Sequence, residues 1–170
     1  MPRLTSLMMV SCCVLIVAAP ARASDDELTK QIADLASEQP AVRAEAINAI
    51  AKYGPRAKPA VGALVKVLSS DDAGTRWLAA RTIGAIGPGA ADAVPALTRL
   101  LKDDESRVRA YAAFALGRIG EASRPAAKSL IPLGLDKDSL VRRAVVDALL
   151  RIRAPIEDTL PLVLQMLERE

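Results

Sequence analysis

Four arginines recur at one constant spacing and are the most regular charged feature of the sequence. They are Arg43, Arg76, Arg109 and Arg142. An acidic residue stands four or five positions before each, as Asp72 does before Arg76 and Asp138 before Arg142. A guanidinium presents a planar fork of N–H donors that fits the two oxygens of a carboxylate. The row can therefore form ion pairs inside the protein or bind anions at its surface. Because the carboxylates recur with the arginines, the sequence favours internal pairs.

The sequence contains few residues of the types that carry out catalysis or bind metals. The sequence contains no histidine, and its two cysteines, Cys12 and Cys13, lie near the N-terminus. Metal ligands would therefore be carboxylates, which cluster at predicted turns, where capping of a helix is their ordinary role. The glycines around Pro88 follow a predicted helix and not a strand, so they indicate a turn and not a phosphate loop. We expect no catalytic residue, no cofactor and no metal site.

Three of the four aromatic residues lie between Arg76 and Arg142, in two successive intervals of the arginine row. They are Trp77, Tyr111 and Phe114. At about 100° per residue, Trp77 and Phe114 fall opposite the apolar face of their helices, and Tyr111 falls on its flank. Exposed aromatic side chains are enriched in protein interfaces, which predicts a binding patch. The alternative is that the rings lie flat over neighbouring side chains and are partly buried.

A second candidate surface is a row of basic side chains. It consists of Lys66, Arg99, Lys102 and Lys128. Lys66 and Arg99 are separated by the same interval as the repeated arginines, which indicates a stripe suited to an acidic partner. Pro132 and Gln165 replace the basic residue later, so the stripe is interrupted. The alternative is an ordinary solvated polar face.

Two helices per 33-residue unit carry these residues. The first has apolar side chains at offsets zero, four, seven, eight and eleven, which share one helical face. In one copy these are Val108, Ala112, Ala115, Leu116 and Ile119, followed by Gly120 as a C-terminal signal. The second helix begins near a proline in each unit: Pro59, Pro95, Pro125 and Pro161. One unit cannot bury both apolar faces alone, so the units must stack.

The register predicts a half repeat followed by four repeats. The half repeat covers residues 26–41, and the repeats cover 42–74, 75–107, 108–140 and 141–170. Aromatic residues make up only 2% of the chain, which suits closely packed helices rich in alanine and leucine. We therefore predict an all-α superhelix of about four helix pairs.

Residues 1–23 have the features of a secretory signal peptide. Arg3 precedes an apolar stretch that ends before Pro20, and Ala21-Arg22-Ala23 matches a cleavage site. The alternatives are an uncleaved anchor, for which the apolar stretch is short, and lipidation at Cys12. Cleavage would remove Arg3 and Arg22, leaving 21 basic and 20 acidic side chains, a net charge of +1. We expect an exported protein, periplasmic or extracellular, with no stable membrane span.

The repeated pattern resembles that of the HEAT family in its short form, over residues 26 to 170. Val108 to Gly120 carries the pattern V-R-x-x-A-x-x-A-L-x-x-I-G. The resemblance implies a right-handed, armadillo-like α-α superhelix. It also implies that the four arginines form a ladder between successive repeats with turn carboxylates, which we assign as Asp72, Asp104 and Asp138.

The resemblance and the sparse chemistry together predict a non-catalytic, protein-binding scaffold outside the cytoplasm. The alternative is an enzyme subunit, because some short HEAT-like proteins resemble phycobilin lyase subunits. HEAT-like DNA glycosylases make nucleic acid a further alternative, but the near-zero charge after cleavage counts against it. We expect one or more protein partners and no nucleic acid.

Overall fold

The computed structural model describes residues 19–167, and most of the predicted signal peptide, residues 1–23, lies outside this part. The described part is built from helices without a strand, which confirms the all-α prediction. The α-helices are α1 (Ala19–Asp34), α2 (Pro40–Ala51), α3 (Val61–Val67), α4 (Ala73–Ile86), α5 (Val94–Leu100), α6 (Ser106–Ile119), α7 (Ala127–Leu130), α8 (Ser139–Arg151) and α9 (Ile156–Leu167). Signal cleavage stays a prediction.

Helices α2, α4, α6 and α8 form one layer of the solenoid. They begin at residues 40, 73, 106 and 139, so the 33-residue spacing of the sequence is the spacing of the helices. Each packs against the next, and the residues between them are small, as at Ala79 and Ala112, which are both fully buried. Small side chains let neighbouring helices approach closely. The core is a continuous stack of alanine, leucine, isoleucine and valine.

A residue with a positive φ follows each helix of this layer, within three positions of its last residue. Gly54, Gly87 and Gly120 have φ values of 53°, 73° and 81°. Arg153 holds the equivalent place in the last repeat, where the glycine pattern fails, and it still adopts a φ of 51°. The shape of the turn therefore follows from the packing of the repeats even where the residue does not favour it.

The short helices α3, α5 and α7 belong to the second layer, and each directly follows a 3₁₀ segment. These segments are Gly54–Ala60, Gly87–Ala93 and Gly120–Ala126, and a fourth, Ile131–Leu135, comes after α7. Pro59 and Pro125 lie in such segments, and Pro95 stands at the start of α5. Pro161 differs from the prediction because it lies inside α9, which begins five residues earlier at Ile156. The shortest helix, α7, is followed by a 3₁₀ segment that contains Pro132, because proline has no N–H for the helical ladder.

No helix within residues 19–167 has the length and the apolar character that a membrane span requires.

Candidate functional site

Two of the repeated arginines form bidentate ion pairs with aspartates of the following turn. Arg76 donates from Nε and Nη2 to the two carboxylate oxygens of Asp103, at 2.8 and 2.9 Å. Arg109 does the same with Asp136, at 2.9 and 3.0 Å. The side chains of the Arg109–Asp136 pair are only 10% and 7% exposed. Paired and shielded in this way, both arginines are structural groups.

The remaining nitrogen of each arginine binds the turn that precedes its helix. Nη1 of Arg109 donates to the carbonyl oxygens of Asp103 and Asp104, at 2.8 and 2.9 Å. Arg43, Arg76 and Arg142 each donate in the same way to the residues five and six positions earlier. Arg109 therefore joins the turn before its repeat to the turn after it, and the pairs form a continuous ladder.

The carboxylates assigned to this ladder from the sequence have other roles in the structure. Asp72 caps α4 by accepting from the N–H of Thr75 at 2.6 Å, and Asp138 caps α8 by accepting from the N–H of Leu140 at 2.8 Å. Asp104 contributes only its backbone carbonyl to Arg109, and its side chain is exposed. Asp72 and Asp138 are the N-cap residues of α4 and α8, so their side chains face the N–H groups of those helices instead of the arginines.

The carboxylates that do pair could have been found from the register. Asp103 and Asp136 are themselves one repeat apart, and each stands at the same separation of 27 positions after its arginine. Burial raises the pKa of both carboxyls, but hydrogen bonds from the paired arginine and from a backbone N–H outweigh it. The net result is that both pKa values lie below the ordinary value of 3.8.

The ladder should make the stability of the protein depend on pH. Because the folded-state pKa values of Asp103 and Asp136 are lowered, their contribution is present above pH 3.8 and is lost as the pH falls through those values. Urea unfolding between about pH 2 and pH 6 measures the effect. The double variant Asp103→Asn, Asp136→Asn should show a shallower loss of stability. An unchanged slope in the variant would contradict the assignment.

The three predicted aromatic residues form one cluster across α4 and α6. The rings of Trp77 and Tyr111 stack with their centroids 5.2 Å apart, and Phe114 meets Tyr111 edge to face at 6.2 Å. Cζ of Arg107 lies 4.0 Å from the centre of the Trp77 ring, a cation–π contact that was not predicted from the sequence. All three rings are half-buried. They therefore cover one another and still present part of their surface to solvent.

A groove of about 420 Å³ lies beside this cluster, between α6 and α8. Tyr111 and Phe114 line one wall, Ala110 is a buried lining residue, and α8 provides the opposite wall. The residues from α8 are Leu140, Arg143, Ala144 and Asp147. Phe114 packs against the preceding repeat, because a Cβ on Gly84 would lie 2.9 Å from its Cε1. The absence of a side chain at Gly84 allows the Phe114 ring to pack directly against α4.

The outer faces of α8 and α9 carry the large apolar side chains that are exposed in the described residues. They are Leu140, Val146, Leu150, Ile156, Leu160 and Leu164. Leu150 occupies the place at which α4 and α6 have glycine, and it is 74% exposed. Leu140 belongs both to this surface and to the groove, so apolar surface continues from the aromatic cluster onto α8.

The four predicted basic residues all lie in the second layer and are exposed. They are Lys66, Arg99, Lys102 and Lys128. None of them forms an ion pair with another described residue. Lys66 differs from the others because it lines a second groove, of about 530 Å³, together with Arg43 and residues of α1. The structure therefore brings a ladder arginine and a stripe lysine to one site, although the sequence placed them in separate features.

The fold and the ladder define an α-solenoid built from helical repeats. The model of HEAT repeats matches residues 26–117 and 97–170, and the chain belongs to this family. No curated protein is significantly similar in sequence to it.

Solved structures share the solenoid fold. An engineered protein is 26% identical, with a TM-score of 0.68 over 80% of this chain and 68% of that one. A designed armadillo repeat protein is 20% identical, with a TM-score of 0.68 over 84% and 72% of the two chains. A chain in the complex of CpcE and CpcF of phycocyanin lyase from Nostoc sp. is 26% identical, with a TM-score of 0.65. This chain covers 56% of that neighbour, and 80% of this chain is aligned.

Proposed function

We propose that the chain is a non-catalytic scaffold that binds a protein partner outside the cytoplasm, through the groove between α6 and α8. The observation that carries the proposal is the half-exposed aromatic wall of that groove. Aromatic side chains at the edge of a concave apolar surface are typical anchors of protein interfaces. Repeat solenoids offer long surfaces of this kind, and the fold supports such a role.

The chemistry of the groove indicates the kind of segment that fits it. Its apolar lining, from Tyr111, Phe114 and Leu140, suits an aromatic or aliphatic anchor from the partner. Arg143 is exposed at the opposite wall and makes no ion pair with a described residue. Asp147, in contrast, accepts a hydrogen bond from Nε of Arg151 at 2.7 Å. The available charge is therefore positive, and an acidic group beside the anchor would complement it.

Binding should depend on the aromatic wall. We expect Tyr111→Ala and Phe114→Ala each to reduce retention of a captured partner by about tenfold or more, because truncation of a central aromatic anchor commonly has this effect. Capture from the envelope or medium of the exporting cell measures it, and Trp77→Ala tests whether the stacked ring behind the groove also contributes.

The matched control is Asn48→Ala. Asn48 occupies the position in the first repeat that Phe114 occupies in the third, and it is exposed away from the groove. This variant should retain the partner like the unaltered protein. Thermal melting of every variant separates lost binding from lost folding. Undiminished capture by folded Tyr111→Ala and Phe114→Ala variants would remove the aromatic groove from the proposal.

Export rests on the predicted signal peptide. N-terminal sequencing of protein recovered outside the cytoplasm should begin at Ser24, directly after the predicted cleavage site. Recovery of the full-length chain from the cytoplasm alone would contradict the proposed location.

An enzyme subunit of the phycobilin lyase type is the second candidate. The similarity to the phycocyanin lyase complex favours it, although that complex contains two proteins and this chain spans only part of the one it matches. Incubation with a bilin and a phycobiliprotein apoprotein tests it directly. A covalent adduct that depends on this chain would overturn the non-catalytic proposal.

A further inference from the structure

The turn that precedes each first-layer helix has the same construction in all four places. Its first residue is Ser37, Ser70, Asp103 or Asp136, one in each successive repeat. In each turn, a side-chain oxygen of this residue accepts from the N–H two positions later, at 2.9 to 3.3 Å. Its carbonyl oxygen accepts from Nη1 of the arginine six positions later. Serine and aspartate therefore form the same turn here.

The two residue types differ in what they offer to the preceding repeat. Asp103 and Asp136 also bind Nε and Nη2 of Arg76 and Arg109, with both carboxylate oxygens. Ser70 stands at the equivalent place for Arg43 and has only a neutral hydroxyl, which the N–H of Asp72 already uses. Among the described residues, no carboxylate forms an ion pair with Arg43. Nε and Nη2 of Arg43 therefore lack the carboxylate that the same atoms bind in Arg76 and Arg109.

The unfilled place opens into the groove of about 530 Å³. Arg43 and Ser70 line it together with Lys66, which adds a second positive charge. Its apolar lining includes Ile32, Leu35 and Val67. Glu38, an exposed residue, is the carboxylate among the lining residues. Besides the hydrogen bonds from Thr75, the positive charge of Arg43 contributes a little to the lowered pKa of Asp72. The carboxylate of Asp72, however, caps α4 by accepting a hydrogen bond from the N–H of Thr75 at 2.6 Å.

We propose that this groove binds a carboxylate side chain of a partner peptide, which takes the place that Asp103 and Asp136 hold in the next two repeats. The peptide would carry an aspartate or glutamate next to an apolar residue, because the groove pairs two cationic side chains with an apolar lining. The site lies in the first repeat, between α1 and α3, and is separate from the aromatic groove between α6 and α8. Either site can fail its test without the other.

Nuclear magnetic resonance of the arginine Nε–H groups tests the proposal on the full chain. The probe is a short peptide, Ala-Leu-Glu-Leu with blocked ends, and its matched control has glutamine in place of glutamate. The glutamate peptide should shift the Nε–H signal of Arg43 and leave those of Arg76 and Arg109 unchanged, because both are already paired. No shift at Arg43, or an equal shift with the glutamine peptide, would overturn the proposal.

Ser70→Asp supplies the missing carboxylate from within the chain. The resulting turn has acidic residues at positions 70 to 72, as the next turn has at 103 to 105. We expect this variant to bind the glutamate peptide about tenfold more weakly and to melt about 2–4 °C higher, because the new aspartate occupies Arg43. Arg43→Lys should also weaken binding, since lysine lacks the bidentate fork. Unweakened binding in Ser70→Asp would place the peptide elsewhere and overturn the assignment.

Discussion

Replacing Arg109 with alanine is expected to lower the free energy of unfolding by about 3 kcal/mol. The substitution leaves the carboxylate of Asp136, which is 7% exposed, without its bidentate partner. It also removes the donor to the carbonyl oxygens of Asp103 and Asp104 and so disconnects two successive turns. Loss of one partner from a shielded ion pair is costly because the other charge stays desolvated. Urea unfolding at neutral pH measures the change.

Arg124→Ala is the matched control for Arg109→Ala. Arg124 pairs with Glu121 at 3.7 Å, but the side chains are 50% and 70% exposed. An exposed ion pair of this kind contributes less than about 1 kcal/mol, so this variant should unfold almost like the unaltered protein. Combining Arg109→Ala with Asp136→Ala should cost less than the sum of the single changes, because neither charge is then stranded. Equal losses in Arg109→Ala and Arg124→Ala would contradict the ladder as a source of stability.

Gly117→Val is expected to destabilise the protein by about 3 kcal/mol. A Cβ at residue 117 would lie 2.8 Å from Cα of Ala148, a backbone atom of α8, so the two helices must move apart. Valine has a higher helix propensity than glycine, but this gain is only a few tenths of a kcal/mol, about 0.4. Steric overlap against a helix backbone therefore dominates. Thermal and urea unfolding should both show the loss.

The same substitution at Gly62 gives the matched control. Gly62 lies in α3, and a Cβ there would meet nothing within 4 Å. Gly62→Val should therefore leave stability unchanged or raise it slightly, through helix propensity alone. Opposite results at the two glycines would show that helix contact, and not backbone freedom, requires glycine at residue 117. A stable Gly117→Val variant would mean that α6 and α8 are not packed as closely as the structure has them.

The regular register predicted the fold because each apolar position of a repeat is buried against its copy in the next. Ala79, Ala112 and Val145 share one offset, and all three are fully buried. The same register brought Trp77, Tyr111 and Phe114 together, since helical geometry places them on adjoining helices. The wall of the groove formed by α8 was not foreseen. It depends on how closely α6 and α8 approach at Gly117, which spacing along one helix does not reveal.

The ladder shows why pairing was harder to predict than the helices. The carboxylates of Asp72, Asp104 and Asp138 are close to the arginines in the sequence. The ion pairs of Arg76 and Arg109 are nevertheless formed with Asp103 and Asp136. Neighbouring turn residues point in different directions, so a shift of one or two positions exchanges a capping residue for an ion-pair partner. The partner is decided by the contact between two successive turns, and therefore by how the repeats pack on one another.

The sequence by itself determined the helices, their register and the family of this protein, because these follow from local periodicity and from turn residues that recur in every repeat. Only the tertiary structure decided which carboxylates complete the ladder and that Arg43 and Lys66 line one groove with Ser70. These contacts join residues of successive turns, which are 27 positions apart in the sequence and meet only when the repeats are packed. They depend on the separation and rotation of packed helices, which side-chain volumes set jointly and no single repeat encodes.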